Sequence, residues 1–176
     1  MTTPFALGQC GPNWPKPPGL VGERTSIRRP NGTGNPSASL RALAVRQPWA
    51  WALIHLGKDV ENRTWHTRFR GPVLIHASSC PAIGRRNGEW DAARRWIAQH
   101  VGQSVADKLP EPEQLQYGGI IGQLEIVGCE DALSDEANSP WFEGPWGFVV
   151  RNPIPMEFRP CRGSLGFFEP VFEEAA

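Results

Sequence analysis

Apolar positions are scattered without period over the first forty residues and become regular at Leu40. Leu43, Ala44 and Val45 form a short apolar run that predicts a strand. Pro48 suits the first position of a helix, and Trp49 to Leu56 run without a breaker until Gly57. Ala50, Leu53 and Ile54 share one face at helical spacing, and Gly57 closes the element. Val60 to Trp65 reads as extended, Arg70-Gly71-Pro72 as a turn, and Val73 to Ala77 as a buried strand. A second helix fits Glu89 to Val101, with Trp90, Ala93, Ile97 and Val101 on one face and Arg94, Arg95 and Gln99 away from it. A short helix over Ser104 to Leu109 follows. Ile120 to Val127, opened by Gly118-Gly119, is the clearest strand in the chain. Trp146 to Val150, Ile154 to Phe158 and Ser164 to Phe168 supply three more short strands, separated by Pro or Gly. This order predicts an α+β domain whose strands curl into a small β-barrel, with helices flanking it.

The chain has 176 residues, enough for one domain plus a tail. Residues 1–39 are that tail: Pro and Gly alternate through them, remove backbone donors and raise the cost of ordering. The domain is expected over 40–172, with 173–176 as a short C-terminal tail. No apolar run approaches the roughly eighteen residues that a membrane span needs. The N-terminus shows neither a basic nor an apolar leader region, so a cytoplasmic location is expected. Cysteines at 10, 80, 129 and 161 form no CxxC, and His76 with Cys80 has no second ligand pair. Free thiols are therefore expected, with no metal and no cofactor.

Net charge is zero, but its distribution is uneven. Residues 1–110 hold fifteen Lys and Arg against six acids, while 111–176 hold three against twelve. Such a split fits a face for a polyanion, or two halves whose charges pair in the fold. Lys58, Arg63, Arg68 and Arg70 are interleaved with Trp65 and Phe69, the mixture that phosphates and unstacked bases require. In an extended segment Glu61, Arg63 and Trp65 would share one side, with Asn62 and Thr64 on the other. Glu61 and Arg63 would form a structural ion pair or read a base edge. Arg46, Gln47 and Trp49 stand where a helix begins, a favourable place for an anion; Gln47 also suits a cap, and Trp49 and Trp51 suit a core. His76 ends a buried strand and is followed by Ser78 and Ser79; it reads as a general base or as a hydrogen-bonded core histidine, and His76 and Ser78 are counted among the candidate nucleotide-binding residues.

Several segments together resemble the ASCH (activating signal cointegrator homology) domain of the PUA-like superfamily. They are RQPWAW from Arg46, GKDVENRTW from Gly57, RGPVLIHAS from Arg70, GGIIGQLEIVGC from Gly118, SPWFEGPWGFVV from Ser139 and CRGSLGFF from Cys161. Gly57, Lys58, Glu61 and Arg63 match the family's G-K-x-x-E-x-R core. The resemblance implies a barrel of five to six strands and a cleft lined by the Lys-Glu-Arg segment. It implies binding of RNA or a modified pyrimidine nucleoside. Lys58 and Arg63 would contact phosphate or a ring carbonyl, and Glu61 and Asn62 would read the base. Trp65 or Trp49 would stack, and Arg46, Arg68 and Arg70 would extend the rim.

An enzyme is the alternative. Some family members are amidohydrolases on N4-acylated cytidine, and ribonuclease activity has been attributed to others. Lys58 and Glu61 would then be the acid–base pair, yet the amidohydrolases carry threonine where this chain has Glu61. A ribonuclease would draw on Lys58, His76 and Arg63. A third possibility is a protein-interaction module recruited through Trp141, Phe142 and Trp146.

Overall fold

A computed structural model describes residues 40–79, 89–133 and 138–172. The expected tails at 1–39 and 173–176, with Cys10 and Cys80, lie outside the described residues. Strand β1 (Ala42–Val45) leads into helix α1 (Trp49–His55), which is followed by β2 (Val60–Arg63) and β3 (Gly71–Ala77). Helices α2 (Glu89–His100) and α3 (Gln103–Ala106) precede a single 3-10 turn at Pro112–Gln114. The long strands β4 (Gly119–Asp131) and β5 (Trp146–Pro160) and the short β6 (Phe167–Phe168) complete the domain.

The strands form one six-stranded sheet in the order β2-β5-β4-β3-β1-β6. It curls into a half-barrel, in agreement with the expected α+β small barrel. Pairing is antiparallel except between β1 and β3, which run parallel. The alternation of β1 explains why the sheet has two apolar faces. Leu43 and Val45 join Ile75, Leu124, Ile126 and Phe148 in the concave core, while Ala42 packs with Leu74 and Ile120 on the other face.

Helix α1 fills the concavity. Ala50, Leu53 and Ile54 enter the sheet core, whereas Ala52 joins a second cluster with Ile97 of α2, Ala106, Leu109 and Trp141. The close approach of α1 explains Gly122: a Cβ there would lie 2.7 Å from Ile54 Cδ1 and 2.8 Å from the Ile154 carbonyl oxygen.

Some boundaries differ from the sequence expectation. The segments expected as two strands over 146–150 and 154–158 form the one strand β5, despite Pro153 and Pro155. Strand β2 pairs only with Trp146–Val149, so the proline-bearing stretch has β4 beside it and no second strand among the described residues. An edge tolerates a missing N–H. Pro48 precedes α1 as its cap rather than opening it, after a cis peptide bond from Gln47. The strand expected over 164–168 is reduced to Phe167–Phe168, because Gly166 adopts φ +67° and breaks the extended run. The helix expected over Ser104–Leu109 is the shorter α3.

Candidate functional site

The edge strand β2 carries the charged core of the motif. Extended backbone sends Glu61 and Arg63 to one side, and Arg63 Nη2 lies 3.1 Å from Glu61 Oε1. Lys58 follows Gly57, whose φ of +69° suits glycine. Its ammonium donates to Glu61 Oε2 at 2.9 Å and to the Val60 carbonyl. Side-chain exposure falls from 18% at Arg63 to 9% at Glu61 and 2% at Lys58, so Arg63 is the member that meets solvent. One carboxylate thus holds two cations. Removing one partner of a buried pair strands the other, at a cost of about 3–5 kcal/mol, so the three groups fix one another.

Arg63 has a second partner. Its Nη2 donates to the Ala44 carbonyl of β1 at 2.7 Å. The carbonyls of Arg41, just before β1, and of Val45 accept from Leu74 and Ser78, on the β3 side. Strand β6 pairs only with Ala42 and Leu43. Ala44 therefore turns its carbonyl toward the opening of the half-barrel, where Arg63 reaches it. The Arg63 Nε–H is buried and has no partner among the described residues.

Aromatic rings flank this seam. Trp49, the first residue of α1, sets its ring 5.9 Å from the Lys58 ammonium and packs edge-on against Trp96 at 5.6 Å. Trp65 is half-buried beyond β2, edge-on to Phe148 at 4.9 Å and Phe167 at 5.6 Å. Gln47, just before the cap Pro48, braces the first turn of α1: its Oε1 accepts from Trp51 N at 3.0 Å, and its amide donates to the Gln116 carbonyl at 2.9 Å. Arg46 is exposed and pairs with Glu89 at 3.3 Å, a surface contact worth little.

Arg68 and Arg70 are exposed beyond Trp65, and Arg70 donates to the carbonyls of Thr67 at 3.0 Å and Phe69 at 2.9 Å.

Other candidate residues lie elsewhere. Asn62 faces away from Glu61 and Arg63. Its amide donates to the Trp141 carbonyl at 2.8 Å and accepts from Glu143 N at 2.9 Å, pinning that loop. His76 projects with Leu74 from the opposite face of the sheet and is 1% exposed. Its Nε2 lies 3.1 Å from the Cys161 carbonyl oxygen, and Phe168 packs edge-on at 5.5 Å. Ser78 lies past the end of β3 with its N–H bonded to Val45. Trp141 is 3% exposed and belongs to the second core cluster, with Trp96 beside it.

Two neighbours of the seam escaped the sequence reading. Arg41 places its guanidinium 5.9 Å from the Phe69 ring centre, and exposed His66 stands edge-on to Trp146 at 4.9 Å. The run from Lys58 to Arg70 contained His66, but Arg41 becomes its neighbour only through the fold.

A cavity of about 270 Å³ opens on the other face, between Leu74, Ile120, Arg159 and Phe172. A second, of about 230 Å³, lies between Val127, Glu130 and Arg151. Neither includes Lys58, Glu61 or Arg63. No group of three or more His, Cys, Asp or Glu among the described residues is placed to hold a metal. No helix among them is long and apolar enough to cross a membrane.

The curled sheet, its inserted helix and the Lys-Glu-Arg edge strand define a small barrel-type module. The family model described as "ASCH domain" matches residues 43–155, and the chain belongs to that family. It is similar to activating signal cointegrator 1 of Homo sapiens, 27% identical over 132 residues, which cover 69% of this chain and 21% of the relative. The Mus musculus protein of the same name is 25% identical over 127 residues, with the same coverage. The chain thus spans about a fifth of the length of these curated relatives.

Proposed function

We propose that this chain binds RNA or a nucleotide at the seam between β1 and β2. The observation that carries this reading is the Lys58–Glu61–Arg63 network at the open edge of the half-barrel, with Arg63 outermost. Two cations on one carboxylate leave a single positive charge in excess, held in a fixed geometry. Arg63 faces a phosphate or ring carbonyl. Lys58, buried behind Glu61, neutralises the carboxylate and positions Arg63 through it. Trp49 and Trp65, half-buried against the core, receive an unstacked base on the part of each ring left exposed, and Arg46, Arg68 and Arg70 supply the cationic rim. Membership of the ASCH family supports the same class of ligand.

The hydrolase reading rests on the contact between Lys58 and Glu61 at 2.9 Å. A general base needs a free oxygen toward its substrate, whereas both Glu61 oxygens already accept from cations. Binding is the reading the geometry supports better. The test incubates the protein with single-stranded RNA, cytidine and N4-acetylcytidine, following product by chromatography and binding by tryptophan quenching. Salt-sensitive quenching without product is expected. Turnover lost in Glu61→Gln would establish the hydrolase instead.

A further inference from the structure

We propose that the face of the sheet opposite the seam docks a protein partner. A bulky apolar side chain of the partner enters the cavity beside Leu74 and Ile120, and an adjacent carboxylate meets Arg159. The site shares no residue with the Lys58–Glu61–Arg63 network and stands independently of the nucleotide reading.

The two faces of the sheet are covered unequally. Helix α1 fills the concavity, and Ala52 of α1 clusters with Ile97 of α2 and Ala106 of α3. The cluster on the opposite face, Ala42, Leu74 and Ile120, has Cys161, Phe168 and Phe172 packed against it among the described residues, and no helix. Buried Leu74 and Ile120 form the floor of the cavity, with Leu40, Met156, Pro170 and Phe172 around them. Apolar surface continues outward from there. Leu40 is 42% exposed and Met156 38%, and Val171, between two residues of the lining, is 79% exposed. Contiguous apolar surface around a recess marks an interaction site.

Size and charge select the occupant. At about 270 Å³ the cavity falls below the roughly 300–1,000 Å³ of pockets that enclose a whole small-molecule ligand. It suits one anchor side chain whose backbone stays outside, against Leu40 and Val171. Among the described residues Arg159 is the one charged member of the lining. Its guanidinium lies 3.8 Å from the centre of the Phe172 ring and enters no ion pair among the described residues. Exposed Glu157 and Glu169 adjoin lining residues in sequence but are not themselves in the lining. An exposed guanidinium held on an aromatic wall offers its planar fork to a carboxylate next to the anchor.

Amide-resolved NMR of the full chain tests this, by titration with capped Gly/Ser hexapeptides that carry Leu, Phe or Trp beside one Asp in either order. At least one peptide should shift the amides of Leu74, Ile120, Arg159 and Phe172, with a Kd of about 1 mM or tighter. Replacing its anchor by Ser should abolish those shifts. Replacing its Asp by Lys should weaken binding roughly fivefold, the upper range of a surface ion pair. Arg159→Gln should erase the preference for Asp and Arg159→Lys should retain it, with the spectra reporting that both variants fold. Failure of every peptide overturns the proposal. Octanoate or single-stranded RNA moving these amides in their place gives the cavity to a fatty carboxylate or to nucleic acid, and shifts that follow protein concentration alone give it to a second copy; each outcome overturns the partner named here. Equal affinity for the Asp and Lys peptides overturns the role of Arg159.

Discussion

The Arg63 guanidinium donates to the Ala44 carbonyl at 2.7 Å and so ties edge strand β2 to β1 across the opening of the half-barrel. The same nitrogen lies 3.1 Å from Glu61. A side chain meant only to balance Glu61 has no need of the second bond. Arg63 thus joins the buried charge network to β1, the other side of the proposed seam.

Arg63→Lys tests that double duty. An ammonium keeps the charge but lacks the planar fork that serves two acceptors in fixed directions. The variant should lose about 1.5–3 kcal/mol, the usual worth of a hydrogen bond to a charged group. Urea denaturation measures this, and an unchanged midpoint would show that the Ala44 contact contributes nothing to the fold.

The network makes a second prediction through Lys58 and Glu61. Glu61→Leu alone leaves Lys58 buried against an apolar side chain and should cost about 3–5 kcal/mol. Lys58→Met/Glu61→Leu removes both buried charges and should recover most of that loss. Thermal unfolding of the two single variants and the double variant completes the cycle. Additive losses would contradict the coupling.

How much of this could be read from the chain differs between elements. The alternation of β2 was legible, because a period of two depends only on extended backbone; Glu61 and Arg63 do share a side and Asn62 does face away. The clear strand at Ile120–Val127 lies within β4, and both main helices stand where their apolar spacing put them. The continuity of β5 was hidden, because Pro153 and Pro155 read as breaks until the sheet order leaves that stretch without a second neighbour. Burial of Lys58 was equally hidden, since it depends on Trp49 and Glu61 closing around it. The bonds from Arg63 to Ala44 and from Asn62 to Trp141 span 19 and 79 residues, and no local pattern encodes them.

His76 provides the third prediction. A Cβ at Gly163 would lie 2.5 Å from His76 Cε1, so the segment after β5 closes over the ring only because that residue is glycine. Gly163→Ala should destabilise by about 1–3 kcal/mol, as overpacking does. In a His76→Ala background, where the ring is gone, the same change should cost much less. Differential scanning calorimetry of the four proteins decides it, and equal costs in both backgrounds would mean that the ring is not the obstacle.

The fourth concerns pH. His55 ends α1 with its ring stacked on Trp51 at 4.9 Å, and the partial desolvation of a ring that is otherwise exposed holds its pKa below the ordinary imidazole value of 6.5. The unfolded chain therefore binds the proton more readily than the folded one. The His55 contribution to stability is whole above about 6.5 and is lost as pH falls through the lower folded value. Melting temperatures measured from pH 7.5 down to pH 5 should fall less steeply for His55→Gln than for wild type. Parallel curves would contradict the assignment.

The most direct test of the seam itself is where RNA touches the protein. Single-stranded RNA carrying 4-thiouridine, crosslinked by light and digested for peptide mapping, should mark Trp49 or Trp65 and the Arg68–Arg70 segment, and should lose those marks in Arg63→Ala. Crosslinks confined to the opposite face, around Leu74, Ile120 and Phe172, would place the ligand on the wrong side of the sheet and refute the site.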